Sequence, residues 1–294
     1  MGERRQDDFG GLRVVSFESR RAHETAELIR RYRGQPVMAP SLREVPIAED
    51  DAAFDFLSRL ESGSLELVIF TTGVGTRALI RLLESRHPRA RIVAALGGAT
   101  LVARGPKPVA ALRELGLSPT VTAAQPYTWR ELVAALDGRL DLHGKEVAVQ
   151  EYGAPNAELL AELRRRGAAV FTVAVYRWAL PEDLAPLRRA IEEITRGEVQ
   201  VALFTNGAQV GHLFRTAELQ GETDSLRAGL ERVVIGSIGP VCTEVLEQFD
   251  LRPDIEPAHP KLGSLMAEAA ASAKRLLAAK RQQSDCLNSR ENEG

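Results

Sequence analysis

The chain has 294 residues, 44% of them apolar and 27% charged, and a net charge of −2. That supplies apolar material for one large core or two ordinary ones, and the near-neutral balance excludes a globally basic nucleic-acid binder. No apolar run approaches the roughly 20 residues that span a bilayer, the N-terminal stretch lacks the apolar segment of a secretory signal, and Cys242 and Cys286 stand in no metal or redox spacing. A reducing cytoplasm is the expected setting.

In chain order, residues 1–11 are polar and expected to be loose. Residues 12–17 read as a strand, and 21–33 as a helix closed by Gly34. Residues 35–47, with Pro36, Pro40 and Pro46, make an extended connector carrying one β-like run. A helix with acidic residues at its start covers 50–60. Residues 65–70, LELVIF, are almost wholly apolar, as expected of a strand covered on both faces. They lead through Thr71-Thr72-Gly73-Val74-Gly75 into a helix over 76–84.

Residues 91–96 read as the next strand, breaking at Gly97-Gly98-Ala99-Thr100 before a helix to about 103. Residues 104–108, RGPKP, read as a loop, 109–115 as a helix and 119–123 as a short strand. Thr128 with Glu131 is a capping-box signature for a helix to 136. A strand over 147–150 ends in a turn containing Tyr152 and Gly153. Asn156 can cap the helix that follows, Leu159, Leu160 and Leu163 give it an apolar stripe, and Gly167 suits its left-handed C-terminal position. The β-branched run 170–175 ends in Tyr176-Arg177-Trp178 rather than in a polar turn.

A helix over 183–195, a strand over 199–204 and the turn Thr205-Asn206-Gly207 come next. A helix to about 217, a strand over 232–235 and Ile238-Gly239-Pro240 follow. Helices over 241–249 and 262–279 precede a polar tail expected to be disordered.

Strands alternating with helices predict parallel, doubly wound sheets. An internal repeat divides them: LELVIFTTG (65–73) answers VQVALFTNG (199–207), and VAALGGAT (93–100) answers VIGSIGPVC (234–242). The chain is therefore read as two similar α/β halves.

In such sheets ligands sit beyond the carboxyl ends of the strands, where helix N-termini present unpaired N–H groups that favour anions. The corresponding turns are 71–75, 97–100, 205–207 and 239–242, each small, hydroxylated or glycine-bearing. Capping alone explains any one of them; four matching turns in two halves point to a ligand. GxGxxG and Walker patterns are absent, the five histidines are scattered, and neither GxSxG nor a Cys-His nucleophile pair occurs. No nucleotide, metal or cofactor is expected. Arg20 and Arg21 follow the first strand, Arg104 and Lys107 follow the Gly97–Thr100 turn, and Arg177 follows the run 170–175; as donors they suit a polycarboxylate, whereas Arg164-Arg165-Arg166 reads as a solvated helix end. Tyr176 is equally open to a packing role with one hydrogen bond.

The segments FTTGVGTRAL, ARGPKPVAALRELGL, GKEVAVQEYG with LRRRGAAVFTVAVYRWALP, FTNGA, and IGPV with HPKLGSL together resemble the uroporphyrinogen-III synthase family, over roughly residues 12–275. The resemblance implies two doubly wound, flavodoxin-like α/β domains joined by a two-stranded extended connector. Residues 12–42 with 180–275 would form one domain and 48–172 the other. It implies cofactor-free cyclisation of hydroxymethylbilane, a linear tetrapyrrole with eight carboxylates, through an azafulvene and a spiro intermediate that inverts ring D.

On this resemblance Tyr176 matches the family's catalytic tyrosine. The substrate-binding candidates are Arg20, Thr72, Gly73, Gly98, Thr100, Arg104, Lys107, Tyr152, Gly153, Thr205, Asn206, Gly239 and Pro240. The chain departs from the family's usual Gly-Pro-Thr-Thr at Gly239-Pro240-Val241-Cys242. A cytoplasmic monomer is expected, making at most transient contact with the enzyme that supplies its substrate, with no nucleic acid and no membrane. The rival reading is a two-domain protein that grips a tetrapyrrole or other polyanion without turnover; a periplasmic-type solute binder is a third.

Overall fold

A computed structural model of the chain describes residues 7–46, 51–153 and 156–291. In chain order the first elements are β1 (Arg13–Ser16), α1 (Ala22–Arg31), β2 (Gln35–Met38), β3 (Arg43–Pro46), α2 (Asp51–Ser62), β4 (Leu65–Phe70), α3 (Gly73–Glu84) and α4 (Arg89–Gly97). Then come β5 (Thr100–Ala103), α5 (Pro106–Arg113), β6 (Val121–Thr122), α6 (Trp129–Leu136), β7 (Glu146–Gly153), α7 (Ala157–Arg165) and β8 (Ala169–Ala179). The last are α8 (Ala185–Thr195), β9 (Val201–Phe204), α9 (Gly207–Gln220), α10 (Thr223–Glu231), β10 (Val234–Ser237), α11 (Pro240–Gln248) and α12 (Leu262–Glu291).

Two compact units result, Met1–Arg43 with Ala179–Gly294, and Glu44–Trp178. In the first, the parallel sheet runs β10-β9-β1-β2, with Val15 level with Val37 and Ala202. Successive residues point to opposite faces and both faces are covered. Val15, Ala202 and Ile235 join Leu187, Leu213, Leu226 and Leu246 from α8 to α11. Val14, Val201 and Val234 join Ile29 of α1 and Leu265 and Met266 of α12. Of residues 1–11, expected to be loose, 1–6 lie outside the described residues and the stretch around Asp8 and Phe9 is docked. Phe9 is fully buried, its N–H donates to the Tyr32 carbonyl at 2.8 Å, and Asp8 pairs with Lys274 at 2.8 Å.

The second unit carries the sheet β3-β8-β7-β4-β5-β6, parallel from β8 through β6. Val68, Phe70 and Ala148 pack with α2, α3 and α4. Leu67, Ile69, Val147 and Val149 pack with α6 and α7 on the other face. Both helix starts expected from capping chemistry form: Thr128 and Glu131 close a capping box on α6, and the Asn156 side chain accepts from Leu159 N at 2.8 Å on α7.

Five local readings are corrected. Residues 91–96 are helical, because in α4 Ile92 and Leu96 share one buried stripe while their neighbours face outward; a short apolar run does not distinguish helix from strand. The strand is instead β5, and the expected loop 104–108 is the start of α5, with Pro106 at its first position. Helix α10 stands where none was expected. The tail is helical through Glu291, in keeping with the helix propensity of its Lys, Arg, Gln and Glu residues.

Candidate active site

The carboxyl edge of the second unit brings together parts from three strands, β4, β5 and β7. β4 ends at Thr71 and Thr72. The Thr72 hydroxyl caps α3 by accepting from Gly75 N at 3.0 Å, and Thr71 Oγ1 donates to the Gln150 carbonyl at 2.7 Å, tying β4 to β7. Gly73 is required by packing: a Cβ there would stand 2.4 Å from the Lys107 carbonyl oxygen. The first turns of α3 and α5 therefore abut, and they meet at a hollow of about 250 Å³ lined by Gly73, Val74, Arg77, Pro106, Lys107 and Ala110.

The charge at this edge is positive. Arg104 follows β5, and its N–H donates to the Phe70 carbonyl at 3.0 Å. Desolvation pulls its guanidinium below the ordinary arginine pKa, and among the described residues no carboxylate pairs with it. Lys107 is exposed in the first turn of α5 and is likewise without an acidic partner there. Arg77 differs: Glu114 takes it in a two-pronged pair at 2.6 and 2.9 Å.

Gln150 and Glu151 end β7 at the same edge, and periodicity did not single them out. The Gln150 carboxamide donates to the Glu151 carbonyl at 2.7 Å while its Oε1 is buried without a partner. It fills the space a side chain at Gly75 would need, 2.1 Å from that Cβ position. Glu151 Oε1 is also buried and unpaired, and desolvation raises its pKa against the opposing field of Arg164. The available signal was a polar pair closing the apolar run VAVQE.

Other candidates fall differently. Tyr176 lies inside β8 rather than beyond a strand end, half-buried and packed on the cluster of Val173 and Val175. Gly153, at φ +95°, makes room for an indole: a Cβ would stand 1.6 Å from Trp178 Nε1. The Tyr152 side chain lies outside the described residues. Gly98 caps the end of α4 and Thr100 opens β5, so both are at the amino end of that strand, opposite the turns where they were expected. The true counterpart of Gly239-Pro240 is Gly105-Pro106, each pair an extended glycine followed by proline at the first helical position.

In the first unit, Asn206 caps α9, and Gln209 Oε1 accepts from Thr205 N at 2.8 Å and Asn206 N at 3.3 Å. Thr205 Oγ1 accepts from Gln209 Nε2 at 2.9 Å and donates to Glu18. Gly239 and Pro240 open α11, where the Thr243 hydroxyl donates to Glu256. Arg20 is exposed just after β1. Cys242 is buried and its thiol is pushed up to about 11 by burial, which makes it a packing group. Among the described residues no His, Cys, Asp or Glu cluster could hold a metal, and no helix is long and apolar enough to cross a membrane.

Comparison with known proteins agrees with this layout. The family model described as uroporphyrinogen-III synthase HemD matches residues 23–267. A mutant uroporphyrinogen III synthase from the extremely thermophilic bacterium Thermus thermophilus superposes with a TM-score of 0.70 at 25% identity, covering 90% of this chain and 99% of that one. The wild-type synthase of the same bacterium gives 0.59 at 27% identity, covering 91% and 100%. The uncharacterized protein YjjA of Bacillus subtilis is 30% identical over 261 residues, 88% of this chain and 95% of its own length. The chain belongs to the uroporphyrinogen-III synthase family of enzymes, which act on a small-molecule tetrapyrrole.

Proposed function

We infer that the protein converts hydroxymethylbilane to uroporphyrinogen III, with inversion of ring D and loss of water. The observation that carries this reading is the pair Arg104 and Lys107, cations without acidic partners among the described residues, beside the abutting N-termini of α3 and α5. A substrate with eight carboxylates supplies the missing counter-charges. Thr72, Gly73, Arg104 and Lys107 hold carboxylates. The substrate also closes unaided to the uninverted isomer, so the protein's task is to fix one geometry of attack.

Tyr176 is assigned as the group that protonates the departing hydroxide, a general-acid role compatible with its half-buried hydroxyl-bearing ring on β8. The reaction needs no cofactor in this reading. The enzyme works in the cytoplasm as a monomer, meets the enzyme that supplies its unstable substrate only transiently, and serves heme, siroheme or cobalamin formation. The test couples the protein to enzymatically generated hydroxymethylbilane and separates the oxidised porphyrin isomers. Type III in excess of type I is the expected result. Type I alone, with the substrate still bound, would leave the non-catalytic binding reading in its place.

A further inference from the structure

In the second unit β5, β4 and β7 are neighbours with level registers: Phe70 stands opposite Ala103 on one side and Gln150 on the other. The next residues along, Arg104, Thr71 and Glu151, therefore form a row across the carboxyl edge. Ile69, Val102 and Val149, two positions before each, lie in the core under α6 and α7, and alternation turns the row to that same face. With strands about 4.8 Å apart, Arg104 and Glu151 are separated by roughly 10 Å at the backbone. Thr71 lies between them, its hydroxyl already donated to the Gln150 carbonyl.

Both ends of the row lack a chemical complement. No carboxylate among the described residues pairs with the desolvated Arg104 guanidinium. Glu151 is only 8% exposed, and no hydrogen bond reaches its Oε1. Arg164 of α7 acts on it through charge alone, and the Glu151 backbone carbonyl is occupied by the Gln150 carboxamide at 2.7 Å. A carboxyl oxygen buried without a donor costs stability, and packing gives no reason to keep it. Its complement is an N–H group from outside the chain.

The proposed substrate carries such groups in a fixed relation to its carboxylates. Its pyrrole rings are joined through the carbons that flank nitrogen, which leaves the two carbons across the ring for the carboxylate chains. Each ring is thus a donor, a flat apolar body and an anion in line. The row Glu151, Thr71, Arg104 is an acceptor, a small ledge and a cation in line.

Resting on that reading of the substrate, we propose that this row is a subsite for one pyrrole ring, in which Glu151 accepts the ring N–H while Arg104 holds a carboxylate of the same ring. Glu151 is then a binding residue that fixes which way the ring lies on the edge.

The wild type tests this without any variant, by titration calorimetry, which does not depend on turnover. A single pyrrole bearing two carboxylate chains across the ring from its N–H should bind at least about tenfold more tightly than its N-methyl counterpart, because methylation removes the donor and keeps both carboxylates. Equal affinities overturn the proposal. Glu151→Leu removes the acceptor together with its unsatisfied burial. The expected result is a KM raised roughly tenfold, kcat changed far less, a melting temperature no lower than that of the wild type, and loss of the preference for the N–H pyrrole. A lower melting temperature with that preference intact would show a structural carboxylate, and an unchanged KM with the preference intact would place the acceptor elsewhere; either overturns the proposal. Type III formation by the wild type, measured first, separates failure of this proposal from failure of the reaction it rests on.

Discussion

At the residue scale the account turns on a few side chains whose surroundings set their chemistry. Arg104 is desolvated and has no carboxylate partner among the described residues, and the proposed function gives its charge to a substrate carboxylate. Arg104→Ala should raise KM by roughly tenfold, about 1.4 kcal/mol, with kcat changed far less; a fall in kcat at constant KM would remove it from the carboxylate-gripping set. Tyr176→Phe should lower type III formation by more than about tenfold, equivalent to about 1.4 kcal/mol of barrier, without loss of folded protein. Wild-type rates in that variant would return Tyr176 to packing. Arg104 and Lys107 stood out in the sequence as cations in a loop near an expected ligand end, and Tyr176 as an aromatic closing a β-branched run, signals that residue type alone carries. Gln150 and Glu151 did not, because their significance lies in orphaned buried oxygens, a property of the packed state.

At the scale of elements, capping chemistry was readable and short apolar runs were not. The Thr128–Glu131 box and the Asn156 cap form as their spacing requires, and Thr128→Ala should cost about 1 kcal/mol, read as a lower denaturation midpoint at unchanged slope. The stretch before Thr100 misled because Ile92 and Leu96 serve equally a helix stripe or an apolar strand, and only packing against Leu57, Leu79 and Leu83 decides it. That error displaced Gly98 and Thr100 to the wrong strand end and concealed Gly105-Pro106 as the opening of α5.

The junction of α3 with α5 is the most demanding contact at this scale. Gly73→Ala would drive a methyl to 2.4 Å from the Lys107 carbonyl oxygen. It should cost about 1–3 kcal/mol of stability and weaken substrate binding together with it, whereas loss of stability alone would detach the junction from the site. On α7 the expected solvated run is an ion-pair ladder: Glu162 pairs with Arg165 and Arg166, and these guanidiniums hold its carboxyl down to about 2. A depressed carboxyl contributes stability above its unfolded pKa and loses it as pH falls through the folded one. The melting-temperature difference between wild type and Glu162→Gln should therefore be present at neutral pH and vanish below about pH 2.

At the scale of the whole molecule, the repeat at 65–73 and 199–207 was visible because parallel strands buried on both faces demand apolar runs followed by small capping residues, whatever the ligand. The two parallel sheets follow from it. The hydrogen bond from Thr205 to Glu18 does not, since it forms only when β1 and β9 lie side by side across 187 residues of chain. The most direct test of the central claim follows ring D itself. Hydroxymethylbilane labelled with carbon-13 in ring D is turned over by the wild-type protein, and the oxidised product is read by carbon-13 NMR. The account predicts a label pattern in which ring D is inverted relative to rings A to C. A product with ring D uninverted, identical to that formed without protein, would contradict it.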